Sequence, residues 1–84
     1  MTATQTAKVN LTSKPRTLRK VTVNFVPRSW TAVKTAATVF ELSQSETINK
    51  GAALIGEAAD AVANGGGLYI RRHEGDKLER VTFL

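Results

Sequence analysis

Lys20-Val21-Thr22-Val23-Asn24-Phe25 alternates at every step. Val21, Val23 and Phe25 fall on one face of an extended segment, and Lys20, Thr22 and Asn24 fall on the other. Val26 precedes Pro27 and is biased toward extended backbone. Pro27 suits a first helical position, where its missing N–H costs nothing. The spacing therefore predicts a strand over about residues 19–25 that runs directly into a helix. No second strand follows for more than forty residues. A lone amphipathic strand of this kind has nothing to pair with in its own chain, which points to a dimer.

Two helical patterns follow. Trp30, Val33, Ala37 and Phe40 recur at steps of three and four, predicting a helix over about 27–41 with one apolar stripe. Ser43 with Glu46 three residues later is a capping-box signature for a second helix over about 44–63. There, Ile48, Ala52, Ile55, Ala59 and Val62 form one stripe, and Leu54, Ala58 and Ala61 form another. A helix apolar over most of its girth is buried on more than one side. Gly51 and Gly56 each cost about 1 kcal/mol relative to Ala, and close approach of a neighbouring helix would offset this. Asn64-Gly65-Gly66-Gly67 ends the helix.

The last segment predicts a hairpin. Leu68–Arg72 and Glu79–Phe83 flank Gly75-Asp76, a favourable two-residue turn. That turn sets Ile70 against Val81, Leu68 against Phe83 and Arg72 against Glu79. The face carrying Leu68, Ile70, Val81 and Phe83 is expected to dock on the helices. The organisation expected is a basic arm over 1–19 that stays disordered until bound, a strand-helix-helix domain over 20–66, and a C-terminal hairpin over 67–84.

Composition bounds the class. Eighty-four residues make one small domain with little core of its own, so outside support is expected. There are no cysteines, which removes disulfides and cysteine-based zinc sites as that support and leaves oligomerisation. No apolar run approaches the roughly 18 residues of a membrane span, and residues 1–20 lack the apolar centre of a signal peptide. A cytoplasmic protein without membrane contact is expected.

The formal net charge of +5 is unevenly placed. Lys8, Lys14, Arg16, Arg19 and Lys20 precede the first acidic residue, and beyond them bases and acids balance. A basic arm of this kind suits either nucleic acid or a solvated tail. His73 has no second His and no Cys beside it, which argues against a metal site. The acids are scattered among basic neighbours, and nothing assembles a nucleophile, a base and an orienting group. The expected protein is not an enzyme and needs no cofactor.

Strand, proline, apolar helix, then Ser43-Gln44-Ser45-Glu46-Thr47-Ile48 opening a second helix resembles the ribbon-helix-helix family of DNA-binding proteins. The likeness covers about residues 20–63. It implies an α+β, mainly α, intertwined homodimer in which two strands pair as an antiparallel ribbon over four helices. In such proteins the ribbon enters the major groove of double-stranded DNA. Matched by position, Lys20, Thr22 and Asn24 would contact bases. Lys donates to guanine O6 and N7, Asn pairs with adenine, and Thr bonds or packs against thymine. Ser43, Gln44 and Ser45 at the second helix start would hold phosphate, with Lys8, Lys14, Arg16 and Arg19 adding backbone contacts. Such proteins often carry Gly between the two helices, where this chain has Glu41-Leu42.

The function expected from the resemblance is a sequence-specific, nucleoid-associated transcriptional regulator acting as a repressor. The alternatives are an architectural or plasmid-partition DNA-binding protein, and an antitoxin or other interaction module whose protein partner docks on the C-terminal hairpin.

Overall fold

The computed structural model describes residues 6–11 and 18–83. Helix α1 spans Pro27–Phe40, helix α2 spans Gln44–Ala63, strand β1 spans Leu68–Ile70 and strand β2 spans Glu79–Val81. The described chain is α+β and mainly helical, and its two strands follow the helices. Two compact units divide it, residues 1–50 and 51–84, with the boundary inside α2.

In the first unit, residues 18–26 have no strand partner, so the strand expected over 19–25 does not form in the single chain. Alternation prepares a residue run for a sheet, but a ladder needs a partner strand, and the described strands β1 and β2 pair with each other and not with this segment. Val26 remains extended (φ −70°, ψ 153°), and Pro27 starts α1 as expected. No side chain caps this end. The Phe25 and Trp30 rings instead meet across it, with centroids 5.6 Å apart. These are the positions of a hydrophobic staple, which sets the angle at which the preceding segment enters the helix.

Helix α1 ends one residue earlier than expected, because Glu41 is left-handed (φ 54°, ψ 48°). Leu42 N–H donates to Ala37 O at 2.9 Å and Glu41 N–H to Thr38 O at 3.4 Å. This is the paired-bond pattern of a Schellman end, built on a residue other than glycine. Of the α1 stripe, Trp30, Val33 and Ala37 are half-buried, but Phe40 is 68% exposed.

In the second unit, α2 closes with the same motif on glycine. Gly66 N–H donates to Ala61 O at 2.8 Å, Gly65 N–H donates to Val62 O at 3.1 Å, and Gly65 takes φ +84°. At Gly51, in this unit's share of the helix, and at Gly56, no atom lies within 4 Å of where a Cβ would sit. The close approach expected at both is therefore not supplied by the described residues.

The hairpin forms in a register two residues away from the one expected. Leu68 pairs with Val81, Tyr69 with Arg80 and Ile70 with Glu79. A shift of two keeps every side chain on its face, so the Leu68–Val81 face survives while the partners change. The turn causes the shift. Asp76 N–H donates to His73 O at 3.1 Å, with Gly75 at φ +85° in the third turn position. Glu74-Gly75, not Gly75-Asp76, is thus the centre, and the ladder stops at three pairs. Arg72 Nε still reaches Glu79 Oε2 at 3.2 Å, and Arg80 Nη2 donates to Gly66 O at 3.2 Å. Docking is partial: Leu68 and Val81 are half-buried, Ile70 is exposed, and Phe83 lies against α2.

Among the described residues the only buried ones are Ala58 (3% exposed) and Thr47 (9%). A chain this short has little interior to spare, and this one leaves most of its large apolar side chains in water.

Candidate nucleic-acid interface

The start of α2 is built as its sequence predicts. Ser43 Oγ accepts from Glu46 N–H at 3.0 Å, and Glu46 Oε1 accepts from Ser43 N–H at 3.1 Å. The two bonds make the reciprocal capping box. Both Ser43 contacts, the backbone bond first, hold the Glu46 carboxyl below its ordinary range, with a smaller contribution from Lys50. Helical bonding begins with Thr47 N–H to Ser43 O at 3.0 Å. Thr47 Oγ1 donates to the same carbonyl at 2.9 Å, which satisfies the one buried hydroxyl among the described residues.

The box uses the Ser43 and Glu46 donors and leaves the Gln44 and Ser45 N–H groups ahead of the first helical bond. Those two point out of the positive end of the helix and suit an anionic acceptor. The ionised Glu46 offsets part of that positive end, so the donors available to an anion narrow to Gln44 and Ser45. Ser43, Gln44 and Ser45 are all exposed.

A concavity of about 380 Å³ joins this helix start to the extended segment. Arg19, Lys20, Val21, Val23 and Phe25 line one side of it, and Ser45, Ile48 and Asn49 the other. The alternation is visible from Val21 to Phe25, where the three apolar residues face the concavity while Thr22 and Asn24 lie outside it and are exposed; Lys20, expected on the face of Thr22 and Asn24, instead lines the concavity, because without a ladder nothing holds the segment's first residue to the pleat. The staple between Phe25 and Trp30 fixes where this segment joins α1. Of the candidate residues, the structure thus brings Arg19, Lys20 and Ser45 to one surface. Thr22 and Asn24 stand on the opposite face of the segment, and Ser43 and Gln44 at the helix start. Lys8 is exposed, and Lys14 and Arg16 lie outside the described residues.

Asn49 is a residue that sequence reading missed. Its Nδ2 donates to Ser45 O at 2.9 Å, so it sits one turn from Ser45 on the same rim. The i, i+4 spacing from Ser45 was the available signal.

The arrangement has cations, amide donors and hydroxyls without a nucleophile–base pair. Among the described residues no group of His, Asp or Glu is placed to hold a metal ion, and no helix is long and apolar enough to cross a membrane. No family model, curated protein or solved structure matches the chain.

Proposed function

We propose that this chain is a homodimeric ribbon-helix-helix DNA-binding protein that regulates transcription as a repressor. One observation carries the reading. The segment 20–25 is alternating and exposed and lacks a strand partner among the described residues, while its apolar face already lies beside the start of α2. A second copy supplies the missing edge. Two such segments pair antiparallel, their apolar faces turn toward the helices, and Thr22 and Asn24 of each copy point away from them; Lys20, which lines the concavity in the single chain, joins Thr22 and Asn24 once the ladder forms.

The chemistry of that polar face suits base edges in the major groove of double-stranded DNA. The Gln44 and Ser45 N–H groups, with the Ser43 and Ser45 hydroxyls, suit a flanking phosphate. Lys8, Lys14, Arg16 and Arg19 add salt-dependent affinity along the backbone. With Lys20 the sole cation on the ribbon, Thr22 and Asn24 carry selectivity, and the arm and helix ends carry most of the affinity.

Selection of bound duplexes from a random pool, at two salt concentrations, tests the reading. A repressor enriches a palindromic or repeated motif. Binding that enriches nothing and disappears with salt replaces it with a DNA-architectural role, which the concentration of charge in the arm would favour. On the selected site, Asn24→Ala lowers affinity by about 1–3 kcal/mol while changing random-duplex binding little. Equal losses on both would remove the role given to Asn24.

A further inference from the structure

We infer that the outward face of the C-terminal hairpin binds single-stranded nucleic acid, with a base stacked on Tyr69 and the flanking phosphates held by Arg71 and Arg80. The face lies wholly within the second unit and uses none of the ribbon residues, so it goes beyond the function proposed above. The register sets its members. Tyr69 pairs with Arg80, so these two side chains stand beside each other on one face. Alternation extends that face to Arg71 past the end of β1 and to Leu78 before β2. Leu68, Ile70, Glu79 and Val81 take the opposite face, on which Leu68 and Val81 are half-buried.

The hairpin sorts its charges between the two faces. Glu79 belongs to the inner face, where its Oε2 accepts from Arg72 Nε at 3.2 Å. Asp76 Oδ2 lies 3.1 Å from His73 Nδ1 in the turn, and Glu74 sits at the turn centre. The Tyr69 face holds no acid, and among the described residues neither Arg71 nor Arg80 meets a carboxylate. Two guanidinium groups therefore flank an aromatic ring on a surface open to water, with Tyr69 47% exposed.

Arg80 is also held in position. Its Nη2 donates to Gly66 O at 3.2 Å, and its guanidinium lies over Gly67, where a Cβ would come within 3.2 Å of Nε and 3.4 Å of Cζ. A side chain at position 67 would push it aside. A guanidinium fixed in this way has less freedom to lose on binding, and Nη1 is left for a phosphate oxygen.

The combination selects the ligand. An acidic peptide would satisfy the cations and leave the ring without a use. A nucleotide strand uses both, because any base stacks on an aromatic ring while its backbone follows positive charge. Arg71 stands two residues from Tyr69, about 6.6 Å along the strand, so ring and cation reach a base and a neighbouring phosphate together. In a duplex the bases are already stacked on one another, and Tyr69 has no partner there.

The test uses the full-length chain with oligothymidylate and oligouridylate of about eight nucleotides, each carrying one photoreactive iodouracil. Irradiation and peptide mapping are expected to place the cross-link on Tyr69. Cross-links confined to residues 1–20, whose basic side chains also attract a strand, overturn the inference. Cross-linking of Tyr69 by one oligonucleotide or by both supports it and shows whether the strand is DNA, RNA or either. Tyr69→Leu is expected to weaken binding about fivefold or more, and Tyr69→Phe to retain it. Arg71→Gln and Arg80→Gln should each flatten the dependence of log K on log salt by about 0.7. Affinity unchanged by Tyr69→Leu, or equal displacement by polyglutamate, reduces the face to simple attraction of anions and overturns the stacking role. If Tyr69→Leu fails to fold, the cross-link on the native chain decides alone. Duplex selection tests the ribbon and not this face, so either reading can fail without the other.

Discussion

The two segments suited to β-structure behave in opposite ways. Residues 20–25 alternate over six positions and form no ladder, whereas β1 and β2 hold three residues each and are paired. The hairpin pairs because Gly75 closes the chain on itself over a short loop, so its partner is always at hand. The longer segment has the better pattern and no partner among the described residues. Strand propensity therefore states only how a segment would pair, and chain connectivity states whether it can do so alone.

The largest expected effect breaks that comparison directly. Val23→Asp places a charge on the apolar face of the proposed ribbon, where dimerisation would bury it without a partner. It should weaken the dimer by about 3 kcal/mol or more and abolish duplex DNA binding with it. Tyr69→Asp, an equivalent change on the exposed hairpin, should alter both by less than about 0.5 kcal/mol. Sedimentation and gel shift on the two variants report the contrast, and equal behaviour would mean that the ribbon is not a dimer seam.

A smaller effect separates the two helix ends, which share one motif on different residues. Gly65 takes φ +84° with open space where a Cβ would project, so Gly65→Ala costs about 1 kcal/mol through the backbone alone. Glu41 already bears such a cost, and Glu41→Gly should stabilise by a few tenths of a kcal/mol once glycine's greater unfolded freedom is deducted. Thermal unfolding should show opposite signs. A shift in the same direction would indicate that Glu41 makes a compensating contact.

The smallest effect is pH-dependent. The Glu46 carboxyl is held below its ordinary value, so its contribution is fully present above the unfolded pKa, about 4.3. It is lost as pH falls through the folded value. Glu46→Gln should therefore lower the melting temperature at neutral pH, with a difference from the native chain that narrows below about pH 4.3. A constant difference across that range would assign the effect to shape, not charge.

What the amino-acid sequence determined by itself is local. Pro27 at the start of α1, the Ser43–Glu46 box, the bounds of α2 and its end at Asn64-Gly65 all follow from bonds between residues three to five apart. The pattern within residues 20–25 is local too, and Val21, Val23 and Phe25 do share one face. Tertiary structure decided the rest. The hairpin register depended on which residue took the positive-φ position of the turn, and a shift of two leaves the apolar pattern unchanged and thus invisible to periodicity. The meeting of Arg19 and Lys20 with Ser45 and Asn49, the exposure of Phe40 and the position of Phe83 against α2 depend on how elements distant in sequence come together. Periodicity assigns a side chain to a face, and only packing determines what, if anything, covers that face.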